Sequence, residues 1–544
     1  MIALTVNDAA SDTSRMEAPS VRTMSRLTWW KLALAILSGF LAFLCFPPAD
    51  IGPLVWAALI PLLLALTQVR PAGGFVLGLV FGFVFMGLYG SFMLLYGNVA
   101  WLATVTFQAL FFGLFGLSAA LCNRSPHPAF RALSVAAVWT LVEMFRGGIG
   151  GLGFTVGNLG YTQYDQLPML QTAAMVGHYG LGFFIAVINA SVTQVLLSTM
   201  PGVWLRPAIH PAQFAHLAGR TTLTGFITIV LLFVWGFLVA GMPDDTEAEP
   251  IEAAVVQASL WERDGGTGRD ANKALERYLE LSEPIPESVD LIVWPEVAIP
   301  GVITWEPEFR QKLAELAMDK SAWLVAGAHE MDEKSRLYNS LFVFSPEGEQ
   351  TDVYRKVILV PFGEHVPMRE RFPWLARFAL RTIDFHPGDD HKLFDLGNVH
   401  GGPLICFEAI FPHAVRENTL MGADFIIFAT SDAWAAGTFQ IAQHSATAPL
   451  RAVESRRYVV RAGTWGRSKI IAPNGEILAE VPIAEAGAAW ATIEPRRELS
   501  TYHRWGDAPL LAICALLMFL GISGRPRMEM LEVPDDDMTE TEAS

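Results

Sequence analysis

Eight apolar runs decide what this chain can become. They lie at 29–46, 52–68, 74–96, 99–121, 128–145, 168–198, 222–241 and 507–523. A helix that spans a bilayer needs about 20 mostly apolar residues, so eight transmembrane helices are expected. Residues 250–498 interrupt the series. They have the charge density of an ordinary soluble domain and the length for one large core. The chain as a whole is 52% hydrophobic and 17% charged, against roughly 25% charged in average soluble proteins. The shortfall is concentrated in the runs. The first run follows some 28 polar residues without a small-residue cleavage site, so it is expected to be a retained helix rather than a signal peptide.

Loop charges set an expected orientation. Arg15, Arg22, Arg26 and Lys31 precede or open the first run; Arg70, then Arg124 and Arg131, then Arg206 and Arg220, occupy the second, fourth and sixth loops; Arg525 and Arg527 follow the last run. The first and third loops, "PPADIG" and "GN", carry no Lys or Arg. Positive charge favours the cytoplasm. The expected layout is therefore a cytoplasmic segment 1–28, seven helices within 29–241, an α/β domain at 250–498 on the periplasmic or outer face, an eighth helix at 507–523 and an acidic cytoplasmic tail at 524–544. "PDDTEAEPIEA" and "MEMLEVPDDDMTETEAS" read as solvated linker and tail. The loop "EMFRGGIGGLGFTVGNLGYTQYDQ", 143–166, has two open readings: a re-entrant loop shaping a lipid entrance, or a connector anchored by a Glu143–Arg146 pair.

A net charge of −16 argues against nucleic acid as a partner. Of four cysteines only Cys406 lies in the polar half, so no disulfide framework forms there. No CxxC or His/Cys spacing suggests a metal, and neither metal nor cofactor is expected.

Within 250–498 short strand patterns alternate with helix patterns. "EAAVVQASL", "VDLIVWPE", "AWLVAGAHE", "GGPLICFE" and "ADFIIFAT" read as strands; "ANKALERYLELSE", "EFRQKLAELAMDK" and "FPHAVRENTLMG" read as helices. "SATAPLRAVESRRYVVRAG" reads as a helix running into a strand. Hairpins are expected across "PEGEQ" and across Asn474-Gly475. Apolar strands between helices mean a layered α/β fold, whose functional groups gather at strand ends. Three strand ends carry useful chemistry: Glu296 after "LIVWP", Lys356 after "TDVYR" and Cys406 after "GGPLI". A thiolate nucleophile, a carboxylate that takes its proton and an ammonium beside the developing oxyanion suit covalent acyl chemistry. Singly, each has a bland alternative as a core cysteine, a turn glutamate or a solvated lysine.

"VWPEVAIP", "YRKVILVPFGEHVP" and "GGPLICFEAIFP", in this order, resemble the carbon–nitrogen hydrolase (nitrilase) superfamily, and with the eight apolar runs they resemble its apolipoprotein N-acyltransferase family. The resemblance runs from about 30 to 523. It implies an αββα sandwich. It implies that an acyl chain moves from a phospholipid donor to Cys406 as a thioester, then to the α-amino group of a lipoprotein's diacylglyceryl-cysteine. It implies Glu296 as general base, Lys356 as oxyanion stabiliser and Cys406 as nucleophile, with Glu364 and Glu408 supporting them and Trp434, Tyr338 and Asn339 forming the pocket. The chain departs from the family pattern at Ile358, in "SDAWAAG" (431–437), at "FTV" (154–156) and in "GTWGRS" (463–468). These are positions where substrates are gripped, so a divergent paralogue with another acceptor is one alternative. A membrane-anchored amidohydrolase with the same triad is another, and a transporter or scaffold a third.

Overall fold

A computed structural model describes residues 28–123, 125, 127–149, 152–200, 211–240, 249–260, 270–378 and 384–523. Arg15, Arg22, Arg26, Arg124, Arg206, Arg525 and Arg527, the start of the acidic linker and the acidic tail lie outside the described residues.

All eight apolar runs contain helix, but they are not equal. Pro71–Tyr89, Asn98–Cys122, Pro128–Gly148, Ala173–Thr199 and the helix ending at Ala240 are long and apolar enough to cross a membrane. Trp29–Leu44, Gly52–Ala65 and Ala508–Ser523 are shorter apolar helices. The expected even helix over 52–68 is broken into Gly52–Leu54, Val55–Ala58 and Ile60–Ala65. Pro61 has no N–H to give and its ring clashes with the preceding turn. Asn189 compensates: its Oδ1 accepts from Leu59 N at 3.0 Å and its Nδ2 donates to the Val55 carbonyl at 2.9 Å. Backbone groups freed inside an apolar region need such partners. Ala173–Thr199 is itself interrupted at Gly177, whose φ of +67° turns the chain before the helix resumes.

Among the described residues the α/β domain holds thirteen strands: β1 (Ile251–Gln257), β2 (Leu291–Val293), β3 (Ile299–Val302), β4 (Trp323–Met331), β5 (Leu337–Phe344), β6 (Gln350–Arg355), β7 (Phe394–Asp395), β8 (His400–Ile405), β9 (Phe425–Thr430), β10 (Val459–Gly463), β11 (Ser468–Ile471), β12 (Ile477–Val481) and β13 (Gly487–Ile493). One sheet runs β13-β1-β2-β4-β5-β6, with β3 attached to β4; the other runs β12-β11-β10-β9-β8-β7. Each has a parallel centre, β1-β2-β4 and β8-β9-β10, with antiparallel strands outside. Both expected hairpins form, β5-β6 and β11-β12.

The side-chain alternation of the strands sorts the core into layers. Ala253, Val255, Leu291, Val293, Ile405 and Ile427 pack between the sheets. Ala254, Val256, Ile292 and Leu324 face outward under helices Ala271–Ser282 and Pro307–Lys320. Leu404, Ile426 and Phe428 face outward on the second sheet under Pro412–Met421 and Thr447–Ser455. The result is the expected αββα sandwich. The second helix layer is not a surface: the same apolar cluster continues into Leu159, Met169, Leu170 and Ala173 of the membrane region.

Ile427 is fully buried between the sheets. Ile427→Ala is expected to cost about 2–5 kcal/mol, read as a lowered thermal unfolding midpoint in detergent. A midpoint equal to that of the parent protein would contradict the packing described.

Candidate active site

The parallel strands deliver their carboxyl ends to one place. β2 ends before Glu296, β8 before Cys406 and β9 before Ser431, while the outer strand β6 brings Lys356. Glu296 sits on a tight turn: Val297, a β-branched residue, has a left-handed φ of +49°. Gly327 of β4 makes room for it, because a Cβ there would lie 2.2 Å from the Pro295 carbonyl oxygen and 2.8 Å from Glu296 Cα. Cys406 also has a left-handed φ, +52°, and opens the single 3-10 turn Cys406–Ile410. Such conformations cost roughly 1–3 kcal/mol and persist only where surroundings hold them.

Lys356 is the centre of the charges. Its Nζ lies 3.1 Å from Glu296 Oε1 and 2.9 Å from Glu364 Oε1, and all three side chains are buried. Asn339 Nδ2 donates to both carboxylates, at 2.6 Å to Glu296 and 3.0 Å to Glu364. The second oxygens are held by backbone: Ser431 N donates to Glu296 Oε2 at 2.6 Å and Val360 N to Glu364 Oε2 at 2.8 Å. Burial alone would lower the ammonium's pKa, but Glu296 and Glu364 outweigh it and hold the pKa above its usual value. Burial would raise the Glu364 carboxyl; Lys356 and the Val360 N–H instead leave it below the carboxylate range. The Cys406 thiol is pushed well up by burial and by the Glu296 charge, with Lys356 opposing. At rest it is a thiol, and it needs a base.

Glu408 does structural work beside it. One oxygen accepts from Val357 N at 2.6 Å and Ile358 N at 3.0 Å, the other from Ile405 N at 2.6 Å, and Tyr354 Oη reaches both. This fully buried carboxylate therefore ties the Cys406 turn to the segment that carries Lys356. Ile358 makes its contact with Glu408 through the backbone N–H, and its side chain packs on the cluster shared with the membrane helices.

Of the residues named from sequence, Glu296, Lys356, Glu364 and Asn339 meet directly, and Cys406 and Glu408 adjoin them. Tyr338 does not join them. It neighbours Asn339 on β5, so it points to the opposite face, where Arg355 stacks 4.2 Å from its ring centroid. Trp434 lies on the turn after β9, 38% exposed, with its ring 5.8 Å from Phe92 and 5.9 Å from Tyr96 of the membrane region. Asp432, in the same turn, pairs at 2.7 Å with Arg461 and at 2.9 Å with His444. Glu143 and Arg146 do not pair with one another. Glu143 accepts from Leu159 N at 2.8 Å, and Arg146 reaches Asn158 and Gln108, so both charges secure the glycine-rich loop. Sequence reading missed Gly327, Ser431 and Tyr354. The only available signal was the small residue in "LVAGAHE" at a strand position facing "WPE".

Because Glu296 raises the thiol, Glu296→Gln should lower its pKa. Iodoacetamide labelling of Cys406, followed by peptide mass spectrometry across pH, is expected to shift to lower pH in that variant. A profile that stays in place or moves to higher pH would show that the carboxylate does not act on the thiol.

Two family models match the chain: carbon-nitrogen hydrolase over residues 252–501, and apolipoprotein N-acyltransferase N-terminal domain over 38–191. The apolipoprotein N-acyltransferase of Geobacter metallireducens is 31% identical over 511 residues, covering 91% of this chain and 95% of that protein. That of Pseudomonas putida is 29% identical over 524 residues, covering 92% and 97%. The crystal structure of Saccharomyces cerevisiae Nit3, a member of branch 10 of the nitrilase superfamily, is 20% identical, covers 48% of this chain and 97% of that chain, and has a TM-score of 0.37. On the sequence relatives, which match over more than nine-tenths of both chains, the chain belongs to the apolipoprotein N-acyltransferase family.

Proposed function

We propose that this membrane protein N-acylates lipoproteins, taking an acyl chain from a phospholipid onto Cys406 and passing it to the free α-amino group of a diacylglyceryl-cysteine. The observation that carries the reading is the buried Glu296–Lys356–Glu364 cluster adjoining Cys406, on a domain whose helix layer is continuous with membrane helices. Glu296 accepts the thiol proton, and the thiolate attacks the ester carbonyl. Lys356 donates a hydrogen bond to the oxyanion as it forms. The leaving lysophospholipid alkoxide takes the proton back from Glu296, and the thioester remains. The lipoprotein amine then attacks the thioester, Glu296 takes an amine proton, and the thiol is restored by that proton as the amide forms. Water is the competing acceptor, so a dry site at the bilayer surface suits transfer over hydrolysis.

Several finer features belong to the same proposal. All eight apolar segments cross the inner (cytoplasmic) membrane, the three shorter ones included. The α/β domain within 250–498 faces the periplasm or cell exterior, consistent with the arginines of alternate loops. Trp434, with Phe92 and Tyr96 beside it, lines the approach from the bilayer.

Incubation with phospholipid and no acceptor is expected to add the mass of one acyl chain to the Cys406 peptide. A diacylated lipopeptide should remove it and become triacylated. Discharge by water alone would identify a hydrolase instead. Cys406→Ala should be inactive while still inserting in the membrane, and substantial residual activity would end the thioester mechanism. Lys356→Arg keeps the charge but not the donor geometry; it is expected to lose at least a hundredfold in rate, about 2.7 kcal/mol of transition-state stabilisation, and a near-normal rate would remove Lys356 from the mechanism.

A further inference from the structure

The turn that carries Cys406 is held at its near end by Glu408. Its far end is held by a different part of the chain. The Ile410 carbonyl, four residues after Cys406, accepts from Thr155 Oγ1 at 2.7 Å and from Tyr161 Oη at 3.2 Å. Both donors come from the glycine-rich loop between helices Pro128–Gly148 and Ala173–Thr199, and both are buried. Two hydroxyls satisfy both lone pairs of one carbonyl. Tyr161 is fixed in turn: Arg451 Nη2 donates to its oxygen at 3.0 Å, and Arg451 Nη1 pairs with Glu454 at 2.8 Å. Glu454 Oε1 accepts from the backbone N–H of His178 at 2.7 Å and lies 3.1 Å from its ring Nδ1. That N–H is free because the helix breaks at Gly177, where a Cβ would meet the Tyr502 ring at 2.5 Å. A left-handed residue such as Cys406 has its side-chain direction set by the two ends of its turn, so a shift at Ile410 re-aims the thiol.

We propose that Thr155 and Tyr161 are positioning residues for Cys406, acting through the Ile410 carbonyl, so that the membrane loop completes the nucleophile's geometry. The inference rests on Cys406 being the nucleophile.

The test uses the full-length protein in detergent–phospholipid micelles and follows acylation of Cys406 by mass spectrometry over time. Thr155→Val and Tyr161→Phe each remove one hydroxyl at nearly constant shape. Each is expected to slow the maximal acylation rate about two- to tenfold, the worth of one hydrogen bond, and the double variant at least tenfold. The phospholipid concentration giving half-maximal rate should stay within twofold, and Thr155→Ser should recover most of the rate lost in Thr155→Val. A parental rate in the double variant would overturn the proposal. So would a loss confined to the half-maximal concentration, which would mean that the loop grips substrate. So would a loss that Thr155→Ser fails to recover. Cys406→Ala is run alongside: if that variant still transfers acyl chains, the nucleophile assignment fails, which is a separate outcome from a parental rate in the loop variants.

Discussion

One ammonium shared by two carboxylates is the constraint around which the site is arranged. Lys356, Glu296 and Glu364 together carry one net negative charge in a buried place. Removing Lys356 would leave two buried carboxylates without a counter-charge, and breaking a buried pair in this way typically costs about 3–5 kcal/mol. The surroundings are accordingly specific: Asn339 bridges the carboxylates, and the N–H groups of Ser431 and Val360 occupy their outer oxygens. A thiolate formed by giving its proton to Glu296 moves the negative charge without adding one. The cluster can therefore keep a neutral thiol at rest and still accommodate its ionised form in the proposed reaction.

The three reactive groups were legible because an α/β fold exposes the residues just beyond its strands, and each stood directly after an apolar run. Asn339 and Tyr338 show the limit of reading motifs as blocks. On a strand, neighbours face opposite ways, so only one of the two could point at the triad. β13 was missed because Gly487-Ala488-Ala489 has no clear apolar alternation; its partner β1, paired in antiparallel register, supplies the context. β3 and β7 are four and two residues long and lack a period of their own. In the membrane region hydropathy located the segments but not their breaks, although Pro61 and Gly177 mark them. The contacts of Thr155 and Tyr161 were invisible, since their partner is a backbone carbonyl some 250 residues away, at separations of 255 and 249.

The two halves of the molecule share more than a seam. Besides the continuous apolar cluster, Gln171 donates to the Asn474 carbonyl at 2.7 Å, Arg456 donates to Gln171 at 3.1 Å, and Gln443 donates to the Pro47 carbonyl at 3.1 Å. Interfaces between independent domains are usually wetter and smaller. Here the helices over the second sheet would present an apolar face to water without the membrane region. The stretch 155–163 of the glycine-rich loop, which sequence left between an entrance and a connector, is a buried packing element tied by Glu143 and Arg146.

The last apolar helix, Ala508–Ser523, returns to pack against Pro128–Gly148, with Gly521 close enough to Ser134 that a Cβ would lie 2.5 Å from its hydroxyl. The α/β domain is thus an insertion, emerging after Ala240 and rejoining the bundle through a helix that follows it in the chain. During synthesis its strands emerge from the ribosome before that helix does. The strands that carry the site are therefore available to fold before the closing helix joins the bundle.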